Sequence, residues 1–221
     1  MKQKAIFMEK EADAWYERNK LCINKKSVNN DPIFMALQSV NFKPKRILEI
    51  GCANGWRLAQ FSEHYDANCY GIDPSIKAIE DGVLCYPALQ LSVGTADNLP
   101  KIDPVDLIIF GFCLYLCDPQ DLFKIAANSD HLLADKGIMA ILDFCPPTGH
   151  YRNEYQHHAN MFSYKMNYSS MFSWHPSYYR VFEHIQHHDG NYELDPDSLI
   201  SVQILQKDSR LLGAKNPYSQ G

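Results

Sequence analysis

The sequence of 221 residues predicts an α/β protein with a doubly wound, mainly parallel sheet. The first observation behind this prediction is alternation, because short apolar runs that suit strands alternate with amphipathic stretches that suit helices. The second is the near-continuous apolar run VDLIIFGF, which is typical of a strand buried on both faces. The third is that the alternation stops after Pro146, so a segment of different character is expected beyond the core.

The alternating part can be followed element by element. Asp31-Pro32 supplies a good N-cap and first residue for the second helix, and Gly137 lies just past the end of the last one. The predicted elements are helix 4–19, helix 31–40, strand RILEIG, helix 55–64, strand CYGID, helix 75–83, strand LSVGT, strand VDLIIFGF, helix DPQDLFKIAANSDHLL and strand GIMAILDF.

The remainder of the chain reads differently. Residues 146–178 are rich in Tyr, His, Asn, Ser and Met without clean periodicity. YYRVFEHIQ and LISVQILQK resemble two strands joined by HHDGNYELDPDS, which suits an antiparallel pair, and GAKNPYSQG suits a loose tail. We therefore predict one domain with four parts: a helical arm at 1–40, a ligand-binding core at 41–145, a covering segment at 146–180 and C-terminal strands at 181–210.

Composition excludes several classes of partner. The formal charge is −5 and the densest basic cluster is only Lys43, Lys45 and Arg46, so no nucleic-acid partner is expected. The sequence shows no secretory signal and no run of 18 apolar residues, so no membrane association is expected. The seven cysteines form no C-x-x-C pair, which favours a reduced, cytoplasmic protein. Oligomeric state is not predicted.

The turn after the first strand carries the clearest chemical signal. Gly51 and Gly55 permit a tight turn and close approach of the backbone to a ligand, and the following helix directs free N–H groups at it. A turn that wraps a diphosphate reads G-x-G-x-x-G, whereas here Ala53 occupies the second glycine position. This spacing is less well suited to a dinucleotide.

The next two strand ends add polar groups at the same sheet edge. Asp73 follows Gly51 by 22 residues and is placed to accept hydrogen bonds from ribose hydroxyls. The loop at 94–100 could close over an adenine ring, with Asp97 accepting from the adenine amino group. Open α/β sheets bind ligands along this carboxyl edge.

The ordered set E-x-G-x-x-x-G, G-I-D-P-S, G-T-A-D-x-L-P, VDLIIFGFCLYLCD and GIMAILDF resembles the class I S-adenosylmethionine (SAM)-dependent methyltransferases across residues 45–145. The resemblance implies a Rossmann-like sheet of seven strands with the last strand antiparallel and helices on both faces. It implies SAM as cofactor and S-adenosylhomocysteine (SAH) as product. The implied cofactor-binding residues are Glu49, Gly51, Cys52, Ala53, Gly55, Asp73, Pro74, Ala96, Asp97, Gly111 and Phe112.

A second set of motifs resembles a subgroup of small standalone methyltransferases that is loosely associated with surface-glycan biosynthesis. They are EADAWYERN, GFCLYLCD, RNEYQHH and SYKMNYS, with Tyr16 and Glu154 departing from the subgroup's Phe and Pro. In one interpretation the first helix folds over SAM, Arg18 meets the methionine carboxylate, and Trp15 or Tyr16 closes the pocket. In the other it is a docked helix without ligand contact.

The covering segment offers candidate substrate residues. His157 suits a general base near neutral pH, although a solvated cover without catalytic residues explains the same composition. The candidate substrate contacts are Tyr115, Tyr155, His157, Lys165 and Tyr168. No metal site is expected, because the adjacent His157 and His158 cannot both face one ion, and the group His184, His187, His188 and Asp189 lacks suitably spaced partners.

The predicted function is therefore methyl transfer to a small molecule, with a sugar or sugar-nucleotide of envelope polysaccharide biosynthesis as first choice. The D/N-P-P-Y/F motif of nucleic-acid amino-methyltransferases is missing after the fourth strand, where GFCLYLCD stands. The alternatives are methylation of protein or peptide side chains and a non-catalytic SAM-binding role.

Overall fold

The computed structural model describes residues 3–147, 149–188 and 196–213. The strands are β1 (Arg46–Ile50), β2 (Asn68–Asp73), β3 (Gln90–Val93), β4 (Val105–Gly111), β5 (Leu133–Phe144), β6 (His150–Glu154), β7 (Phe162–Met166), β8 (Tyr178–His187) and β9 (Leu199–Lys207). The α-helices are α1 (Gln3–Ile6), α2 (Ala12–Ile23), α3 (Pro32–Ser39), α4 (Trp56–Tyr65), α5 (Ile76–Cys85), α6 (Leu122–Leu132) and α7 (Ser170–Ser173).

Within these residues the main sheet has seven strands in the order β3-β2-β1-β4-β5-β9-β8. The pairs β1–β2, β1–β4, β2–β3 and β4–β5 are parallel, whereas β9 runs antiparallel to both β5 and β8. The chain reverses its lateral direction between β1 and β4, which creates the switch point where open α/β sheets bind ligands. This topology confirms the predicted seven-stranded, doubly wound sheet with an antiparallel last strand.

Alternation along the central strands explains why helices cover both faces. In β4, Leu107 and Ile109 belong to one buried cluster, whereas Ile108 and Phe110 belong to the other. The first cluster includes side chains of α3 and α4, and the second includes side chains of α6. Burying one such large apolar side chain contributes about 1.5–3 kcal/mol, so the continuous apolar run stabilises both layers.

The N-terminal arm is longer and less regular than the predicted helix 4–19. A π-helical turn, Phe7–Glu11, joins α1 to α2, and α2 continues to Ile23. None of the described helices is long and apolar enough to cross a membrane.

The covering segment contains a hairpin that the periodicity did not reveal. β6 and β7 pair antiparallel as a separate two-stranded sheet. The predicted connection between the last two strands falls largely on 189–195, and the predicted tail falls on 214–221; both ranges lie outside the described residues.

Candidate functional site

Two adjoining cavities lie at the carboxyl edge of the central strands in the described part of the chain. Counting the space at their mouths that is open to solvent, the first contains about 890 Å³ of empty space and the second about 1860 Å³. Both are lined by Gly51 after β1, by Gly111 and Phe112 at the end of β4, and by Trp15 of α2. The cavities therefore meet over the switch point of the sheet.

The first cavity combines strand ends with the N-terminal arm. The predicted cofactor residues that line it are Trp15, Gly51, Asp73, Pro74, Ala96, Asp97, Gly111 and Phe112. The arm adds Lys4, Phe7, Met8 and Ala12. These four arm residues are not among the predicted site residues, because nothing in their own sequence indicates where the arm docks.

The turn after β1 needs its first glycine. Gly51 has φ +76°, and a Cβ built there would lie 2.6 Å from Cys113 Cβ. Ala53 has φ +50°, a conformation that costs a non-glycine residue free energy. Its N–H donates to Asp73 Oδ2 at 2.8 Å, so the strained turn is held by the end of β2.

Asp73 is fixed by backbone donors on both oxygens. Oδ2 accepts from Ala53 N, and Oδ1 accepts from Ser75 N at 2.9 Å. Burial raises the pKa of Asp73 to about 6, against the lowering effect of these two hydrogen bonds. Each carboxylate oxygen has two lone pairs, so Asp73 retains acceptor capacity at the cavity wall.

Asp97 is paired with the arm. Lys4 Nζ lies 2.6 Å and Lys124 Nζ 3.5 Å from Asp97 Oδ2. Burial raises the pKa of Asp97, but the hydrogen bonds from Lys4 and Thr95 outweigh it and keep the pKa below the usual value. A hydrogen-bond donor of a bound ligand would therefore share the Asp97 carboxylate with Lys4, Lys124 and Thr95.

The second cavity has an aromatic wall and a polar cover. The ring centroids of Phe112 and Phe144 are 5.7 Å apart, and those of Tyr115 and Phe144 are 5.2 Å apart. Lys165 Nζ lies 4.1 Å from the Phe144 ring centroid and 3.3 Å from Asp197 Oδ1. The hairpin contributes the cover, including Asn153, Glu154, Tyr155, Gln156, His157, Ser163 and Lys165.

A buried ion cluster lies beside the second cavity. Arg57 Nε donates to Asp31 Oδ2 at 2.9 Å, and Arg57 Nη1 donates to Glu49 Oε1. Glu49 Oε2 is buried and has no hydrogen-bond partner among the described residues. Burial raises the pKa of Glu49 to about 7 although Arg57 acts to lower it. A Cβ on Gly111 would lie 2.7 Å from Arg57 Nη1, so this position needs glycine.

The remaining predicted residues fall into two groups. Glu49, Cys52 and Ala53 line the second cavity rather than the first, as do the predicted substrate residues Tyr115, Tyr155, His157 and Lys165. Gly55 lines neither cavity and caps α4 with φ +79°. His157 is exposed, with its ring centroid 5.3 Å from that of Tyr155.

The structure gives three aromatic or basic residues other roles. Tyr168 is 2% exposed within the core and its hydroxyl donates to the carbonyl of Tyr164, so its prediction as a direct substrate contact is wrong. Arg18 lines neither cavity, because its guanidinium contacts Glu11 and Tyr155. Tyr16 is buried and donates to Asp81 Oδ2 at 2.5 Å instead of closing a pocket.

Metal coordination finds no support in the described residues. They contain no group of three or more His, Cys, Asp or Glu side chains placed to hold an ion. Asp189 lies outside the described residues.

Residues 47–137 match a family model described as a methyltransferase domain. This range contains Gly51, Asp73 and Asp97, which line the first cavity. These residues therefore carry a methyltransferase domain, and the sheet has the class I methyltransferase fold. The methyltransferase domain supports SAM as cofactor and methyl transfer as activity, and two solved structures of the same fold hold SAH.

Solved structures agree with this methyltransferase fold. One is the Burkholderia thailandensis 1,6-didemethyltoxoflavin-N1-methyltransferase with bound 1,6-didemethyltoxoflavin and SAH, at TM-score 0.71 and 12% identity, covering 92% of this chain and 88% of that chain. Another is N-methyltransferase NodS from Bradyrhizobium japonicum with SAH, at TM-score 0.59 and 15% identity, covering 87% and 97%. A methyltransferase from Mesorhizobium loti has TM-score 0.64 and 14% identity, covering 82% and 100%.

A sequence search of curated proteins finds no significant match to this methyltransferase. The solved structures are too distant in sequence to show more than the fold. The link to surface-glycan biosynthesis has no support from these matches and stays a prediction.

Proposed function

We propose that the protein transfers the methyl group of SAM, held in the first cavity, to a small molecule held in the second. The observation that carries this proposal is the junction of the two cavities at Gly51, Gly111 and Phe112. A donor and an acceptor bound on either side of that junction can meet in line, as displacement at a methyl group requires. Alignment of two reactants is itself a large source of catalysis.

The first cavity fits SAM. Its lining joins the ends of β1, β2 and β4 to the N-terminal arm, so a nucleoside bound there would contact both. Asp73 keeps acceptor capacity for the ribose hydroxyls, and the apolar side chains of Phe7, Met8 and Ile125 suit the faces of an adenine ring. Ala96 and Asp97 would border that ring.

The methionine end of SAM would lie toward the second cavity. Gly51, Cys52 and Ala53 would line it with backbone, and the unpartnered Oε2 of Glu49 is an available acceptor nearby. Gly111 and Phe112 would face the reacting centre. The cofactor supplies an activated methyl group, so the chain's own residues have to orient the acceptor and exclude water.

Residues of the second cavity would hold the acceptor. Phe112, Tyr115 and Phe144 form an aromatic wall against which a planar group can pack. Tyr155 and Lys165 offer polar contacts from the hairpin. His157 would take the proton of a hydroxyl or amine acceptor, a role that a stronger nucleophile would not need.

The proposal of a small-molecule acceptor rests on how the second cavity is covered. The hairpin and α2 both line it, which favours a small molecule over a protein side chain that needs an open groove. A sugar or sugar-nucleotide remains our finer proposal, supported only by the mixture of aromatic and polar side chains. The Burkholderia and Bradyrhizobium structures are of N-methyltransferases, so nitrogen acceptors belong in the same screen.

Transfer of a labelled methyl group tests the proposal. The protein is incubated with methyl-labelled SAM and separate pools of nucleotide sugars, small amines and cell protein. Label is expected to appear in a small-molecule pool, and Asp73→Ala is expected to lose this transfer. Label in the protein pool would favour a peptide acceptor, and SAH binding without transfer to any pool would favour a non-catalytic role. With a good acceptor, unchanged turnover in His157→Ala would show that His157 is not the base.

A further inference from the structure

The start of the N-terminal arm lines the first cavity, whereas the hairpin and α2 line the second. The arm places Phe7, Met8 and Ala12 along the first cavity, where none of the hairpin strands contributes. The hairpin places Tyr155 and Lys165 along the second. Contacts between arm and hairpin would therefore connect the cofactor side of the site to the acceptor side.

One such contact joins Glu11 to Tyr155. The Tyr155 hydroxyl donates to Glu11 Oε1 at 3.0 Å, and Arg18 Nη2 donates to the same oxygen at 2.5 Å and to the Tyr155 hydroxyl at 3.2 Å. Glu11 is 4% exposed. Burial and the adjacent Glu11 raise the pKa of Tyr155 to about 12, so the phenol is a proton donor at neutral pH. Charge-assisted hydrogen bonds of this kind are stronger than neutral ones.

A second contact joins Gln3 to Phe162, the first residue of β7. The Gln3 side chain donates from Nε2 to Phe162 O at 2.7 Å and accepts at Oε1 from Phe162 N at 2.8 Å. Gln3 Nε2 also donates to Leu116 O at 2.9 Å, in the loop after β4. Gln3 is 5% exposed, so water does not compete freely for these bonds.

The two contacts bracket the π-helical turn. Gln3 precedes it and Glu11 is its last residue, while Phe7 and Met8 within it line the first cavity. π-Helical turns are rare and are often found at functional sites. The part of the arm that covers the first cavity is thus fastened at both ends to the hairpin that covers the second.

We propose that Glu11 and Tyr155 are positioning residues that couple the two cavities, so that the arm closes over SAM only when the hairpin is in place. Tyr155 lines the acceptor cavity, yet its hydroxyl holds the arm. An acceptor that orders the hairpin therefore also favours the closed arm, and SAM and the acceptor bind cooperatively. The identity of the first ligand rests on the proposed function, whereas the contact itself does not.

Amide hydrogen exchange on the full-length, ligand-free protein tests the contact directly. In Tyr155→Phe the arm amides at 7–16 are expected to exchange several-fold faster than in the unaltered protein. Tyr151→Phe is the matched control, because Tyr151 lies on β6, the strand that ends just before Tyr155, and outside both cavity linings. Equal arm exchange in the two variants would overturn the proposal.

Calorimetry with SAH then tests the coupling. Tyr155→Phe and Glu11→Gln are each expected to weaken SAH binding about tenfold, the size of effect that loss of a hydrogen bond to a charged group produces. The double variant should bind SAH little more weakly than Glu11→Gln alone, because Glu11→Gln already weakens the contact that Tyr155→Phe removes. The coupling would be overturned if the fold-changes in SAH affinity of the two single variants multiplied in the double variant. It would also be overturned if Tyr155→Phe left the SAH affinity unchanged. Absence of SAH binding by the unaltered protein would instead refute the proposed function, and hydrogen exchange would still decide the contact.

Discussion

Asp73 links the strained glycine turn to the cavity wall, so its charge matters for binding. Burial raises its pKa to about 6, and the neutral acid accepts fewer hydrogen bonds than the carboxylate. We therefore expect SAH affinity to fall as the pH drops from 7.5 to 5. Calorimetry across this range measures the effect, with Asp73→Asn as the control in which most of the pH dependence should disappear. A pH-independent affinity in the unaltered protein would contradict this role.

In the buried ion cluster, Arg57 contacts the carboxylates of both Asp31 and Glu49. Arg57→Met would leave both carboxylates buried without their counter-charge, which costs about 3–5 kcal/mol of unfolding free energy. The control is Arg46→Met, because the Arg46–Asp103 pair is 3.3 Å long with Asp103 85% exposed, and such pairs contribute about 0–1 kcal/mol. Urea unfolding compares the two, and similar losses would show that the buried cluster is not a special contributor.

Gly111 provides a steric test at the junction of the cavities. The Cβ of Gly111→Ala would meet Arg57 Nη1 at 2.7 Å, and Arg57 cannot easily move because Asp31 holds it. A loss of about 1–3 kcal/mol is expected from such overpacking. Gly94→Ala is the control, since a Cβ there meets Ile72 at an ordinary 3.5 Å. Equal stability of the two variants in urea would contradict the close approach at Gly111.

At the scale of elements, the arm depends on Gln3. Gln3→Ala removes both bonds to the Phe162 backbone, so the arm should be cleaved faster in limited proteolysis while the sheet stays intact. Lys10→Ala is a suitable control because Lys10 is an exposed residue of the same arm. Unchanged cleavage of the arm in Gln3→Ala would show that other contacts hold it.

The core elements could be predicted and the covering elements could not, for a physical reason. β1 and β4 are buried on both faces, so their apolar runs identify them without knowledge of the fold. β6 reads HYRNE with alternately exposed and half-buried residues, and part of its support comes from Arg152 lying 3.4 Å from the Phe162 ring centroid. A cation–π contact between strands has no periodic signature in the sequence.

The candidate site likewise combines residues that the sequence predicts with residues that it does not. Gly51 and Asp73 follow from the spacing of motifs along the chain, and both line the first cavity. Phe7 and Met8 depend on how the arm docks, which is a tertiary property. Tyr168 is predicted as a substrate contact because it is an aromatic residue in the polar covering segment. Only 2% of it is exposed in the structure, and this burial depends on tertiary packing that its sequence neighbours do not reveal.

At the scale of the whole molecule, one sheet edge presents two adjoining cavities, covered by an arm and a hairpin that contact each other. The arrangement gives a chain of modest length separate places for the two ligands of the proposed reaction. Its parts are connected, because Asp73 holds the turn, the turn borders both cavities and the arm bridges to the hairpin.

Calorimetric titration with SAH of the unaltered protein and of Asp73→Ala is the most direct test that the first cavity is the cofactor site. We expect one SAH to bind per chain and the affinity to fall sharply in Asp73→Ala, with the folded state retained. Absence of SAH binding by the unaltered protein, or equal affinity in Asp73→Ala, would contradict the assignment.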